Sequence, residues 1–262
     1  MKKSLKTLFT SIGLVLLVFQ MPAQPINFDW VRRFIPSIQF LKTAFLFAFF
    51  CVCCGIQAQD FVYAKGLGGT DYDLGRSIAT DASGNAYVTG YFRGTVDFDP
   101  SANTANLSSS GSASDVFLAK YNSYGDYVYA IRFGGGNADE SYSVTVDSIG
   151  NTYVIGDFYG TVDFDPSAQT ANLTSSGQSD IFLAKYDPLG NYLNAINLGG
   201  NSFDKGRSVT IDGSGNVYIT GSFAGTADFD PSSNTAFLSS HNGNYDIFLA
   251  KYDASLNYIY AF

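Results

Sequence analysis

The sequence predicts an all-β fold made of four-stranded antiparallel meanders, and three observations predict it. One motif recurs: "GTVDFDPS" runs from Gly94 to Ser101 and again from Gly160 to Ser167, and "GTADFDPS" runs from Gly225 to Ser232. The recurrence is periodic. "DFDP" begins at Asp97, Asp163 and Asp228, Gly-Asn pairs stand at Gly84, Gly150 and Gly215, and "FLAKY" begins at Phe117, Phe182 and Phe248, so three markers keep a spacing of 65 or 66 residues. Between the markers, segments rich in β-branched and aromatic residues alternate in polarity, glycine marks their ends, and no helical period appears.

Each repeat divides into four main strands. In the first, strand a is "RSIATD" (Arg76–Asp81), strand b "NAYVTGYF" (Asn85–Phe92), strand c "DVFLAKY" (Asp115–Tyr121) and strand d "YVYAIRF" (Tyr127–Phe133). The second fills these slots with "YSVTVD", "NTYVIGDF", "DIFLAKY" and "YLNAINL", the third with "RSVTID", "NVYITGSF", "DIFLAKY" and "YIYAF". The turns "DASGN", "DSIGN" and "DGSGN" join a to b. There Asp81, Asp147 and Asp212 are expected to bond loop backbone, and Gly84, Gly150 and Gly215 to take positive φ. Repeated meanders of this length describe β-propeller blades; a sandwich does not repeat at a fixed period, and a solenoid uses shorter coils.

The stretches "DASGNAYVTGYFRGTVDFDPS" and "SDVFLAKYNSYGDYVYAIRFGG" resemble the bacterial seven-bladed β-propeller repeat family, SBBP, and the resemblance extends from about Asp60 to Phe262. It implies a secreted or surface protein of bacteria, often with further domains. It implies no particular ligand and no catalytic set.

The expected organisation is a leader over 1–59, an orphan outer strand at 60–67, and blades at 68–133, 134–198 and 199–262. "DFVYAKGLGG" after the leader matches "DYVYAIRFGG" at Asp126–Gly135, so it reads as a d strand with no a, b or c strand before it. "NYIYAF" stops partway through its own d strand. A closed ring needs roughly four to eight blades. The reading is therefore an incomplete ring of three blades, a portion of a longer protein, with missing blades or self-association expected at its open edges.

The leader contains two apolar segments, 8–20 and 44–56, each with a basic residue before it and small residues near its end, the grammar of an export signal. Neither reaches the roughly 20 residues that span a bilayer. Export to the extracellular space or cell surface is expected, with cleavage near Ala58 or Gln59 and no stable membrane span in the mature body. The cysteines, Cys51, Cys53 and Cys54, all lie in the second apolar segment, so the body has none. The leader also takes six of the 15 basic residues and one of the 23 acidic ones, leaving the body nine against 22, a net charge of −13. Such a surface repels phosphate backbones and argues against nucleic acid as a partner.

The "DFDP" aspartates, Asp97 and Asp99, Asp163 and Asp165, Asp228 and Asp230, are the candidate metal ligands. Two readings stand. Calcium takes six to eight hard oxygens, several of them carboxylates, and "DFDPSAN" supplies a partial set without the distal glutamate of a calcium loop. Alternatively Phe98, Phe164 and Phe229 pack inward, and Asp99 and its counterparts cap the following turn. No other cofactor is indicated. Lys120, Lys185 and Lys251 inside strand c are expected to snorkel or pair with an acid.

No catalytic residues are assigned. His241 is the single histidine, so no Ser-His-Asp or Cys-His set can be assembled. The acids repeat in every copy, whereas an active site is an asymmetric cluster. The functional expectation is an exported non-catalytic scaffold that binds a protein or glycan partner. Its binding face is expected where the b–c and d–a connections emerge, since long loops on a rigid frame carry binding. The alternative is the propeller portion of a secreted carbohydrate-active or peptidase enzyme whose catalytic domain lies beyond residue 262.

Overall fold

The first repeat forms β1 (Asp73–Thr80), β2 (Ala86–Phe92), β3 (Thr95–Asp97), β4 (Asn106–Ser108), β5 (Asp115–Tyr121) and β6 (Tyr127–Phe133) in the computed structural model, which describes residues 62–262. The second forms β7 (Glu140–Val146), β8 (Thr152–Asp163), β9 (Asn172–Tyr186) and β10 (Tyr192–Gly200). The third forms β11 (Lys205–Ile211), β12 (Val217–Ala224), β13 (Thr226–Asp228), β14 (Phe237–Ser239), β15 (Tyr245–Tyr252) and β16 (Tyr258–Ala261). A short 3-10 turn at His241–Gly243 is the only helical element among the described residues. The leader, with its segments at 8–20 and 44–56, and the start of the 60–67 segment lie outside the described residues.

The main strands pair as antiparallel sheets in the orders β1-β2-β5-β6, β7-β8-β9-β10 and β11-β12-β15-β16. These are the a, b, c and d strands of three propeller-like blades, and the all-β expectation holds. Apolar side chains are buried chiefly between neighbouring blades. Val116, Leu118 and Phe133 of the first blade share one core with Val144, Val154 and Phe182 of the second, and Ile155, Ile181 and Leu183 of the second share another with Val209, Val217 and Ile219 of the third. Neighbouring blades thus bury facing sheets by stacking, and the outer face of the first blade is covered by its own excursion, where Phe92, Phe98, Phe117 and Tyr121 form a third core.

Two features of the path differ from expectation. The b–c connection is not a plain loop: β3 with β4 and β13 with β14 are short hairpins, and in the second blade the same ladder continues β8 and β9 through Asp163↔Asn172. Each hairpin lies beside the d strand of the preceding blade. Gly199 and Gly200 of β10 pair with Asp228 and Ala227 of β13, and single bridges join Gly134 to Asp163 and Gly68 to Asp97. The excursion therefore covers the edge of its neighbour, an arrangement that protects an otherwise open strand.

The segment at 60–67 is the second difference. Residues 62–67 form no strand, and the segment meets the sheets through the Gly68–Asp97 bridge. Its side chains still take the place of a d strand. The Tyr63 ring covers Gly125, where a β-carbon would lie 2.7 Å from it, and the Tyr129 ring covers Gly190 in the same way at 2.9 Å. Lys65 Nζ donates to the Gly125 carbonyl at 2.7 Å.

Candidate functional site

The "DFDP" residues form a self-contained turn. Phe98, Phe164 and Phe229 are buried, as the inward reading requires, and pack on Phe117, Phe182 and Phe248 with ring centroids 5.0, 5.3 and 4.8 Å apart. Asp97 Oδ1 accepts the N–H of Asp99 at 3.0 Å and of Ala105 at 2.8 Å, Asp99 Oδ1 accepts the N–H of Ser101, and Ser101 Oγ accepts that of Asn103. Asp163 with Asp165, and Asp228 with Asp230, repeat the pattern. One oxygen of each aspartate is thus committed to backbone. Among the described residues no group of three or more His, Cys, Asp or Glu side chains is placed to hold a metal ion.

The tip of this turn does not emerge beside the d–a connections. Because β13 runs antiparallel to β10, the chain beyond Asp228 doubles back toward the c–d turn. The hydroxyls of Tyr121, Tyr186 and Tyr252, at the far end of strand c, donate to the carbonyls of Phe98, Phe164 and Phe229 at 2.8–2.9 Å. Clefts of about 520 and 490 Å³ open there, one between Asp165-Pro166-Ser167 and Gly190-Asn191-Tyr192, the other between Asp230-Pro231-Ser232 and Leu256-Asn257-Tyr258. Only the base of the excursion shares a face with the d–a connections, which corrects the placement expected from topology.

That turn end is rigidly built. Asp81 Oδ1 accepts the N–H groups of Ser83 and Asn85 while Oδ2 accepts the Asn85 amide and the Tyr87 hydroxyl. Asp147 and Asp212 repeat the backbone and amide bonds, and Gly84, Gly150 and Gly215 take positive φ. The Asn216 amide and the backbone hold the Asp212 carboxyl down at about 2. The c–d turns reproduce this network on Asn122, Asp187 and Asp253, a likeness that the "DPLGN" letters already carried. The strand-c lysines lie over tyrosine rings, Lys120 at 4.9 Å from Tyr87 and Lys185 at 5.0 Å from Tyr153, and donate to the next blade's turn at Pro188 and Ala254. They fasten blades together.

The opposite end carries the asymmetric chemistry. Strand a of each blade has a bulge opposite a glycine of strand b, between Gly75 and Ser77, Ser141 and Ser143, and Gly206 and Ser208. The glycines are obligatory: a β-carbon on Gly90, Gly156 or Gly221 would lie 1.8–2.0 Å from a strand-a carbonyl oxygen. A bulge re-aims the side chain of its extra residue, and here those residues are Arg76, Tyr142 and Arg207. They meet across the blades, with the Arg207 guanidinium 4.0 Å and the Arg76 guanidinium 5.7 Å from the Tyr142 ring centroid.

Beside this row a cleft of about 290 Å³ opens, lined by Asn137 and Ala138 of the d–a connection and by Glu140, Tyr142, Asp157, Tyr159 and Lys205. Glu140 and Asp157 stand directly opposite in the β7–β8 ladder and so share a face. The Tyr142 hydroxyl donates to Glu140 Oε2 at 2.6 Å. Asp157 is 3% exposed and its Oδ1 has no partner among the described residues. Burial pushes its carboxyl up to about 6 against the pull of Lys205. Its counterparts in the other blades are Tyr91 and Ser222, so the fold needs no carboxylate there. Sequence reading passed over Asp157, Glu140 and Lys205; the signal available was a glycine inside strand b, which marks a bulge.

The family model described as a beta-propeller repeat, SBBP, matches residues 62–91 and 196–222. An uncharacterized WD repeat-containing protein of Acanthamoeba polyphaga mimivirus is 26% identical over 73% of this chain and 16% of its own length. The regulatory protein FlaEY of Caulobacter vibrioides is 27% identical over 70% of this chain and 20% of its own. The chain thus matches no more than a fifth of the length of these relatives. A solved protein of unknown function from Bacteroides caccae aligns over 71% of this chain and 80% of its own at 11% identity, with a TM-score of 0.25, too low to carry an argument. The segments similar to the SBBP beta-propeller repeat cover a d–a connection and the a–b strands after it in two different blades.

Proposed function

We propose that the chain is an exported, non-catalytic propeller scaffold that presents a binding cleft to a protein or glycan partner. The observation that carries this reading is the contrast within the repeats. Their turns, packing phenylalanines and inter-blade lysines are nearly interchangeable, while Tyr142 stands at its bulge where the other two blades have arginine, and the cleft beside it, with Glu140 and Asp157, has no matching residues in the other blades. A frame that repeats and a cleft that does not is the division of labour of a binding module on a rigid support.

Expression of the whole chain in a bacterial host tests the reading. The expected product is recovered outside the inner membrane, with an N-terminus near Ala58 or Gln59 by mass spectrometry, and turns over neither aryl glycosides nor casein. Retention in the cytoplasm overturns the export part, and turnover overturns the non-catalytic part. One observation favours a second reading, different from an enzyme whose catalytic domain lies beyond residue 262: a carbohydrate-active site in the propeller itself, since a buried carboxyl raised to about 6 beside a second carboxylate suits general acid chemistry. Aryl glycoside turnover that disappears in Asp157→Asn would select it.

A further inference from the structure

We propose that the cleft between the second and third blades binds one ring of a neutral saccharide, with Asp157 and Glu140 as acceptors for its hydroxyls and Lys205 and Asn137 as donors. The inference rests on the binding-scaffold reading and specifies its ligand.

Burying a carboxylate oxygen with no donor costs several kcal/mol at the order-of-magnitude level, and native structures rarely leave one so without a functional reason. Asp157 Oδ1 is such an atom; Asp73, Asp115 and Asp180 each leave one too, but of the four only Asp157 lines this cleft, and Tyr91 and Ser222 at the same place in the other blades show that packing does not demand it. The missing partner is a hydrogen-bond donor. Net charge narrows its chemistry. Two carboxylates, Glu140 and Asp157, face Lys205 in the cleft, and Arg207 stacks on Tyr142 at its edge. The site is near neutrality, so it favours neither a bare cation nor an anion.

A ligand that both donates and accepts, without charge, is a polyhydroxylated one. The cleft volume of about 290 Å³ stands at the small end of ligand pockets, which begin near 300 Å³, and suits a single sugar ring. Tyr142 is held by the two arginines and by Glu140, so the acceptor geometry exists before a ligand arrives. Pre-organisation of this kind lowers the entropic cost of binding.

The test is titration of the full-length chain, followed by saturation-transfer NMR, with glucose, galactose, mannose and N-acetylglucosamine, and separately with methylamine, inorganic phosphate and glycine. The expected result is saturable binding of at least one neutral sugar and none of the charged probes. Asp157→Asn, which keeps shape and removes charge, and Tyr142→Phe, which frees Glu140, are each expected to weaken it tenfold or more, the loss of a charge-assisted hydrogen bond. Ile149→Ala, at the opposite turn end, is expected to leave it unchanged. Circular dichroism melts confirm that each variant is folded. Absence of saturable sugar binding, binding undiminished in both cleft variants, or preference for a charged probe overturns the proposal. Failures are separable: an exported chain that ignores sugars refutes this inference alone, and a sugar-binding chain retained in the cytoplasm refutes the export reading alone.

Discussion

Asp139 and Asp157 are both buried in the second blade, and they differ in what meets their oxygens. Asp139 Oδ2 accepts the Gly135 N–H at 2.7 Å and Oδ1 the Tyr159 N–H at 3.1 Å, closing the d–a connection onto the end of strand b. Asp204 does the same in the third blade with Gly200 and Ala224. Asp157 accepts no backbone N–H among the described residues and leaves Oδ1 without a partner. The difference teaches how to sort the many acids of this chain. Asp139 and Asp204, which recur, hold backbone, and Asp157, which does not recur, stands in the cleft beside Glu140.

The comparison is broken most directly by substitution. Asp204→Ala strands two buried N–H groups and is expected to cost about 2–4 kcal/mol in denaturant unfolding. Asp157→Ser, which installs the third blade's residue, is expected to be neutral or to stabilise by about 1 kcal/mol, because it removes an unsatisfied buried charge. Equal losses in the two variants would end the distinction.

Glycines sharpen it at the turn end. Gly190 has φ +85 and faces the Tyr129 ring, so Gly190→Ala is expected to cost about 1–3 kcal/mol by thermal melting. Gly213, with open space around it, is expected to tolerate alanine within about 0.5 kcal/mol. The third blade shows the rule from the other side: Leu256 takes positive φ at the Gly190 position, and there the covering residue is Asn194 rather than a tyrosine.

Titration gives a smaller effect. Burial holds the carboxyls of Asp139, Asp157 and Asp204 at about 7, 6 and 6, against about 3.9 in an unfolded chain. Between those limits the folded chain binds more protons than the unfolded one, so stability falls as pH rises. The melting temperature is expected to climb as pH is lowered from 8 toward about 5, and Asp157→Ser to flatten part of that climb. Below about 4 the trend reverses, because Asp212 and Asp253, held low by the amides of Asn216 and Asn257, lose their stabilising charge as pH falls through their folded values. A melting temperature that only falls on acidification from pH 8 would contradict the burial assignments.

The smallest effect concerns the "DFDP" turns. With one oxygen of each aspartate committed to backbone, millimolar calcium is expected to leave the melting temperature and calorimetric baseline unmoved. A saturable calcium heat lost in Asp97→Asn would restore the metal reading.

What the sequence determined by itself is local. Strand positions follow from period-two alternation, and the a–b turns from aspartate and positive-φ glycine at fixed offsets, since a strand face and an Asx turn are settled within a few residues. The inward phenylalanines of "DFDP" were legible for the same reason. Tertiary structure decided what depends on partners far along the chain. The excursion tip turns toward the c–d end because Tyr121 reaches the Phe98 carbonyl and the previous blade's strand end offers an edge to pair with. Arg76, Tyr142 and Arg207 converge because three bulges, each set by a strand-b glycine, face one another across separate blades. No alternation rule carries that information: a bulge moves one side chain out of register, and which residues it brings together depends on the stacking of whole sheets.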